Sequence, residues 1–478
     1  MLGRKKPVET LLSHGADQSL KPTLSWPHLV AMGVGGIIGT GIYTLIGKGA
    51  ELAGPGVMLS FIIAGAVCAC AALCYAELAT ALPASGSAYT YSYVTMGETI
   101  AWIIGWSLIL EYTVTCAAVA TGWSGYVGEL LINFGAPIPD VFLRGPLHPE
   151  RPGILNIPAI IISLAVTGLL LAGARESATV NLGLVVIKIV ALAIFIGLTI
   201  FMIRPENFQP FMPYGFGDPL GFLSAQPGEV LKGVMPAAAI IFFAFYGFDA
   251  VAASAEETKN PGRDLTIGIL GSMVVCTAFY MLVAAGALGA LPFAEFTPDK
   301  TAAPLAFILQ TLGHPLAASL ISGAAIVALP TVIMVFMYGQ TRVFFVMARD
   351  GLLPERLTRV DPKRGVPSTV TIVIGVIVAA VSGVFELGDL ASVANAGTLA
   401  AFIAVGASVL LLRKSHPTLE RRFRTPVAPV IATLAILGCL YLFISLQVST
   451  IIAFFAWNAI GLAVYFLWSR RRSHLAAA

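Results

Sequence analysis

Apolar residues fall along this chain in long uninterrupted runs, divided by short polar stretches rich in proline, glycine and charge. Twelve such runs lie at 27–46, 55–82, 98–131, 156–173, 177–203, 231–256, 265–290, 316–347, 367–385, 389–412, 427–446 and 449–468. A helix needs about 20 apolar residues to cross the hydrocarbon core of a bilayer. The runs are continuous, whereas a membrane strand would alternate apolar and polar positions. The pattern predicts an all-α membrane protein with twelve transmembrane helices. Composition agrees: 57% of residues are hydrophobic and 11% are charged, which excludes an ordinary soluble globule.

Charge adds direction. With the N-terminus in the cytoplasm, the segments facing inwards carry 21 Lys and Arg and those facing outwards carry six, with Lys188 alone inside a run. That asymmetry is the positive-inside signal and places both ends in the cytoplasm. The first 25 residues are polar and basic and lack the apolar region and cleavage site of a signal peptide, so the first run is expected to insert the mature protein.

Several function classes fall away. The longest outside loops, 132–155 and 204–229, are too short and too rich in Pro and Gly to hold a core. The glycine-rich stretch at 33–49 misses the phosphate-loop spacing, and Gly47-Lys48 is followed by Gly49 rather than Ser or Thr. None of the six histidines lies well inside a run, so intramembrane catalysis lacks its bases and ligands. The six cysteines all lie within runs. Cys68, Cys70 and Cys74 have nothing nearby to complete a zinc set and read as packing residues. No enzyme activity, metal or cofactor is expected. The net charge of +3 gives no argument for nucleic acid. A membrane amino acid sensor is the alternative of another class, but only about 25 residues precede the first run and ten follow the last, which leaves no regulatory tail.

Two runs carry residues that suit a continuous helix in lipid poorly. The first reads GVGGIIGTGIY at 33–43, and the sixth has Gly247 and Asp249 at its middle. An interrupted backbone at membrane depth is tolerated only where protein buries it or where it lines a cavity. Runs one and six each open a group of five, and matched interruptions in two halves point to a transporter site near the membrane midplane. The other reading is close helix packing through small residues, although five glycines in nine residues exceed what packing needs. A break would free N–H groups at Gly39, Thr40 and Gly41 for a carboxylate. It would free carbonyls at Ile37, Phe243, Ala244 and Tyr246 for an ammonium. Donors on one side and acceptors on the other fit an α-amino acid.

The segments GIIGTGIY (36–43), CYAELATALPASGSAYTY (74–91), GWSLILEY (105–112), FYGFDAVAASAEETKNPGRDLTIG (245–268), GQTR and ARDGLLP (339–354) and NAGTLAAF (395–402) occur in this order. In them the chain resembles the amino acid–polyamine–organocation (APC) superfamily, and within it bacterial members of the cationic amino acid transporter family. Thr266 departs from that pattern, which has Pro there. The resemblance covers residues 20–470 and implies a five-plus-five inverted repeat with helices 1 and 6 broken and two further C-terminal helices. Read onto this chain, residues 1–25 form a cytoplasmic segment, 26–203 the first repeat, 230–412 the second, 427–468 the two additional helices and 469–478 a cytoplasmic tail. The implied activity is alternating-access uptake of an amino acid through the inner membrane, with spans 1, 3, 6, 8 and 10 forming the site.

Charged and bulky residues refine the expected site. Lys188 sits mid-run, where a lysine costs roughly 2.5–3.5 kcal/mol on insertion scales and needs a partner. Sodium-coupled relatives of the implied fold hold a cation near this point. Lys188 then looks like a built-in replacement whose protonation cycle couples transport to protons; the alternative is a static tie to span-1 carbonyls. Glu111 lines the side-chain end of the pocket or bonds a neighbouring helix. Asp249 holds the broken backbone rather than substrate. Glu77, Glu256 and Glu257 read as an inner gate pairing with Lys259, Arg263 or Arg342, or as ordinary interfacial charges. Phe243, Tyr246, Thr115 and Phe336 form the pocket walls unless Phe336 faces lipid. Their bulk favours small neutral L-amino acids such as alanine over the cationic substrates that Glu111 suits; an exchanger is a further alternative within the class. Expected partners are the L-amino acid, protons and the bilayer, with room for a small single-span subunit on the outer helices.

Overall fold

A computed structural model describes residues 4–8, 23–84, 86–148, 151–218, 231–245, 247–296, 303–361 and 366–476. Among these the chain is helical and forms no strand; a single bridge joins Leu24 and Thr258. In chain order the helices are α1 (Trp26–Ile37), α2 (Thr40–Tyr43), α3 (Leu45–Ala53), α4 (Val57–Ala81), α5 (Ser87–Thr95), α6 (Glu98–Asn133), α7 (Ile157–Ala172), α8 (Ala174–Thr199) and α9 (Val234–Ile241). They continue with α10 (Phe248–Ala253), α11 (Pro261–Ala290), α12 (Pro304–Thr311), α13 (Pro315–Ala328), α14 (Pro330–Arg349), α15 (Ser368–Val384), α16 (Leu387–Ser415), α17 (Ala428–Ile444) and α18 (Val448–Val464).

Proline opens many of them. Pro27, Pro158, Pro261, Pro304, Pro315 and Pro330 stand in the first turn, where a missing N–H costs nothing. Asn156 caps α7 by accepting from the Ala159 N–H at 3.2 Å. Pro330 also divides the long apolar helix 315–349 into α13 and α14.

Among the described residues, seven helical stretches are long and apolar enough to cross a membrane: Leu45–Ala81, Glu98–Ile132, Gly183–Met202, Pro261–Ala290, Pro315–Arg349, Leu387–Ser415 and Val448–Arg472. Four apolar helices are shorter: Ile157–Ala172, Val234–Ala244, Ser368–Val384 and Ala428–Ile444. The first and sixth runs yield short helices because glycine interrupts both.

Burial sorts the helices. The most apolar stretch of α6 is 83% buried against protein and that of Val448–Arg472 only 28%, so α6 is a central post and α18 presents its apolar side outwards. Helix α6 packs on α5, α7, α14, α15 and α16. Small residues let the posts approach: a Cβ at Gly397 of α16 would lie 2.9 Å from Glu111 Cβ, and one at Gly375 of α15 would lie 2.1 Å from Thr167 Oγ1 of α7. At one end the two broken helices are tied by backbone bonds, Thr23 and Leu24 N–H to Glu257 O at 2.9 Å and Lys259 N–H to Leu24 O at 2.8 Å.

Helix α18 docks on α6 through aromatic rings. Trp106 and Trp457 stack with centroids 4.9 Å apart, and each indole N–H donates to the other's backbone carbonyl at 2.9 Å. Trp102 stacks on Trp106 and donates to Gly461 O at 2.8 Å. Replacing Trp457 with Ala removes a stack and one of the two reciprocal bonds. We expect it to destabilise the protein by about 3 kcal/mol, read as a lower thermal midpoint of the detergent-solubilised protein.

Candidate functional site

The two interruptions meet. Helix α1 ends at Ile37, Ile38 is extended, and Gly39 leads into the short turn α2. Opposite, α9 passes into a tight turn at Phe242–Ala244, and helix resumes at Phe248 after Gly247, whose φ of +124° suits glycine alone. The backbones touch at two points: a Cβ on Gly41 would lie 2.3 Å from Ala244 Cα, and one on Gly247 would lie 2.8 Å from the Gly36 carbonyl carbon. The glycines therefore do both things that the sequence left open, since they break the helix and bring two backbones into contact.

Asp249 holds the second break, accepting from the Gly247 N–H at 3.0 Å and from the Tyr112 hydroxyl at 2.7 Å. Phe243 and Ala244 are buried beside α2. Tyr246 lies outside the described residues.

The carbonyls at the end of α1 are occupied. Lys188, fully buried in α8, donates to Gly35 O at 2.7 Å and to Ile38 O at 2.6 Å. Thr331 of α14 reaches Gly35 O at 3.4 Å. The Ile37 carbonyl, expected to face substrate, accepts from the Tyr280 hydroxyl at 2.5 Å. Tyr280 had no sequence signal, because it is one of two adjacent aromatic residues, with Phe279, within an otherwise plain apolar run. The Thr40 hydroxyl is buried without a hydrogen-bond partner, close to where a Cβ on Gly122 of α6 would stand.

Three helices wall the breaks. Val332 and Val335 of α14 stand where Cβ atoms on Gly39 and Gly36 would be, at 2.6 and 3.2 Å. Thr115 is buried, and the neighbouring Cys116 thiol donates to Ile333 O at 3.6 Å. Phe336 is 1% exposed and its ring meets that of Tyr112 edge-on at 5.6 Å, so it faces protein and not lipid. Glu111 is fully buried against α16, and neither carboxyl oxygen has a hydrogen-bond partner. Asn395 of α16 donates to Ala239 O at 2.7 Å and Ile240 O at 3.2 Å. It lies in a quoted motif, yet nothing in the sequence singled it out from its neighbours.

Above the breaks, Tyr126 donates to Tyr43 O at 2.6 Å and Trp123 to Ile326 O at 2.7 Å. Below, Arg342 pairs with Glu257 at 2.8 Å with its guanidinium 4.3 Å over the Tyr338 ring. Lys6 pairs with Asp350 at 2.5 Å, and Asp350 also accepts from Tyr89 at 2.9 Å. Glu77 corrects the expected partners. It takes two bonds from Arg413, at 2.9 and 2.7 Å, and one from the Thr425 N–H at 2.8 Å, with Arg421 at 3.4 Å. The segment joining α16 to α17 folds back beneath α4, a long-range return that span-by-span reading does not reveal. The side chain of Glu256 lies outside the described residues.

A buried pair of broken helices, walled by long apolar ones, defines a membrane transporter. The chain matches the amino acid permease family over residues 24–468 and belongs to it. It is 44% identical over 474 residues to the branched-chain amino acid permease BcaP of Bacillus subtilis (strain 168), covering 99% of this chain and 98% of that one. It is 41% identical to the methylthioribose transporter of the same organism, covering 99% of each. The vacuolar cationic amino acid transporter 2 of Arabidopsis thaliana is 37% identical, over 87% of this chain and 64% of that one. The resemblance read from the motifs stands.

The contact between the breaks sets a sharp mutational contrast. Gly41→Ala forces a methyl group onto Ala244 and is expected to abolish transport while the protein still reaches the membrane. Gly168→Ala, where nothing lies within 4 Å, should transport like the parent. Uptake normalised to membrane abundance reads the difference.

Proposed function

We propose that the protein is a secondary active permease that takes up neutral L-amino acids by alternating access, coupled to protons, across the bacterial inner membrane. In this reading the twelve runs are twelve crossings with both ends cytoplasmic. Residues 26–203 and 230–412 form two inverted five-helix repeats, and residues 427–468 add two helices. Residues 1–25 and 469–478 are cytoplasmic.

The observation that carries the reading is the junction of the two breaks, where Gly41 meets Ala244 and Gly36 meets Gly247. One side of that junction offers the N–H groups of Gly39, Thr40 and Gly41 to a carboxylate. The other offers the carbonyls of Phe243 and Ala244 to an ammonium, with Tyr246 expected beside them from the sequence alone. Ile37 acts through Tyr280 and shapes the turn. Thr115 and Phe336 bound the substrate side chain from α6 and α14, and Glu111 sits behind them against α16. The names of the relatives at 44% and 37% identity support an amino acid cargo and extend the substrate range from alanine to branched aliphatic side chains.

Lys188 supports proton coupling. As an ammonium it makes two charge-assisted bonds to α1, at Gly35 O and Ile38 O. Loss of its proton removes that charge and loosens α1 from α8, which is the movement that alternating access needs. Glu77, Arg342 and Asp249 serve as gate and frame.

The test is uptake of labelled leucine, alanine, arginine and methylthioribose into sodium-free proteoliposomes with an alkaline interior, with and without a protonophore. Protonophore-sensitive uptake of leucine or alanine is expected. Lys188→Ala should lose accumulation driven by the proton gradient, by tenfold or more. Uptake of arginine alone would make this a cationic transporter, and uptake only into preloaded vesicles would make it an exchanger. Transport of methylthioribose without any amino acid would overturn the reading.

A further inference from the structure

Helix α16 runs alongside the sixth-run break, and its residues straddle it. Phe402 packs on Phe242 and Phe248, with centroids 5.7 and 5.2 Å apart, so it spans the break from one end to the other. Seven residues earlier, about two helical turns along the same face, Asn395 binds the last turn of α9 just before the chain departs from helix. Asn395 is fully buried. Helix α9 is broken, so its last carbonyls are short of the N–H donors that a continuous helix would supply, and the Phe242 N–H turns back to Ala238 O and Ile240 O. The Asn395 amide nitrogen adds a donor to two carbonyls of this turn, Ala239 and Ile240.

This arrangement fixes the side chain's orientation. Two carbonyl oxygens at 2.7 and 3.2 Å require donors, so the NH2 group must face α9 and the flipped amide would set oxygen against oxygen. The Asn395 carbonyl oxygen therefore points away from α9. It is buried and has no hydrogen-bond partner. A buried acceptor without a donor carries a desolvation penalty that a ligand bearing a donor would relieve.

We infer that Asn395 is a specificity-determining residue of the transport site, its side-chain oxygen accepting a hydrogen bond from the substrate's α-ammonium group. The inference rests on the amino acid reading above and deepens it. The Asn395 amide is anchored on α9 one turn before Phe243 and Ala244, and in this arrangement its oxygen and their two carbonyls give the ammonium's three N–H groups three acceptors. The same amide stiffens the turn that presents the backbone carbonyls. The site then discriminates an amine from a hydroxyl at the α-carbon, because only the charged group brings enough donors.

The experiment compares leucine with its 2-hydroxy analogue, which keeps the carboxylate and side chain and lacks the ammonium. Binding to purified full-length protein is measured by ligand-induced thermal stabilisation and by competition. The expected result for Asn395→Leu, which keeps volume and loses the acceptor, is leucine binding weakened about ten- to hundredfold, the range for losing a hydrogen bond to a charged group. Binding of the hydroxy analogue should change by less than about threefold, so the preference for amine over hydroxyl collapses. Equal loss for both ligands would mean that Asn395 only supports helix α9, and would overturn the inference.

A second measurement needs no variant. N-trimethyl leucine retains the charge and has no N–H, and the parent protein should bind it at least tenfold more weakly than leucine. Binding equal to leucine would overturn the inference even if Asn395→Leu fails to fold. Parent protein that binds neither leucine nor alanine would instead remove the amino acid reading itself, and the inference with it.

Discussion

A backbone that leaves the helix inside a membrane must find partners for every N–H and C=O it frees, because lipid supplies none. That constraint organises this molecule. Two helices are interrupted side by side, and side chains sent from three others take up part of what they free. Lys188 and Tyr280 bind the end of α1. Asn395 binds the end of α9, and Asp249 turns back on its own loop while holding Tyr112 of α6. The central helices are placed so that these side chains reach, and the rest of the bundle packs around that arrangement.

The same economy governs the periphery. Several charged groups near one end of the bundle are buried as pairs: Glu257 with Arg342, Asp350 with Lys6, and Glu77 with Arg413 and Arg421. Such pairs are costly to strand singly, since an uncompensated buried charge is penalised far more than a whole pair. The ties from Thr23 and Leu24 to Glu257 join the feet of the two broken helices by main chain.

What could be read from the sequence follows from how local each feature is. The helical class, the glycine interruptions and the need of Lys188 for a partner all lie in contiguous residues, where hydropathy and backbone preference speak directly. Glu257 and Arg342 were within reach because few opposite charges stand near that end of the spans. The partners of Glu77 were not, because Arg413 and Thr425 are more than 330 positions away and arrive by a fold-back with no signature of its own. Tyr280 and Asn395 were invisible for a different reason. A tyrosine or an asparagine in an apolar run has many uses, and only the position of a broken helix beside it selects one. Phe336 was legible as bulk, but its engagement with Tyr112 depends on two helices whose rotation the sequence does not state.

The contact of Gly41 with Ala244 and of Gly36 with Gly247 also bears on how such a protein changes its cargo over time. Where main chain meets main chain with no room for a methyl group, almost every codon change is lethal to the contact. In the proposed reading, that part of the molecule is closed to drift and recognises only what all cargoes share. New preferences must then arise on α6, α14 and α16, where side chains rather than backbone face the junction. A laboratory library aimed at redirecting this carrier would be spent well on those three helices and wasted on the glycines.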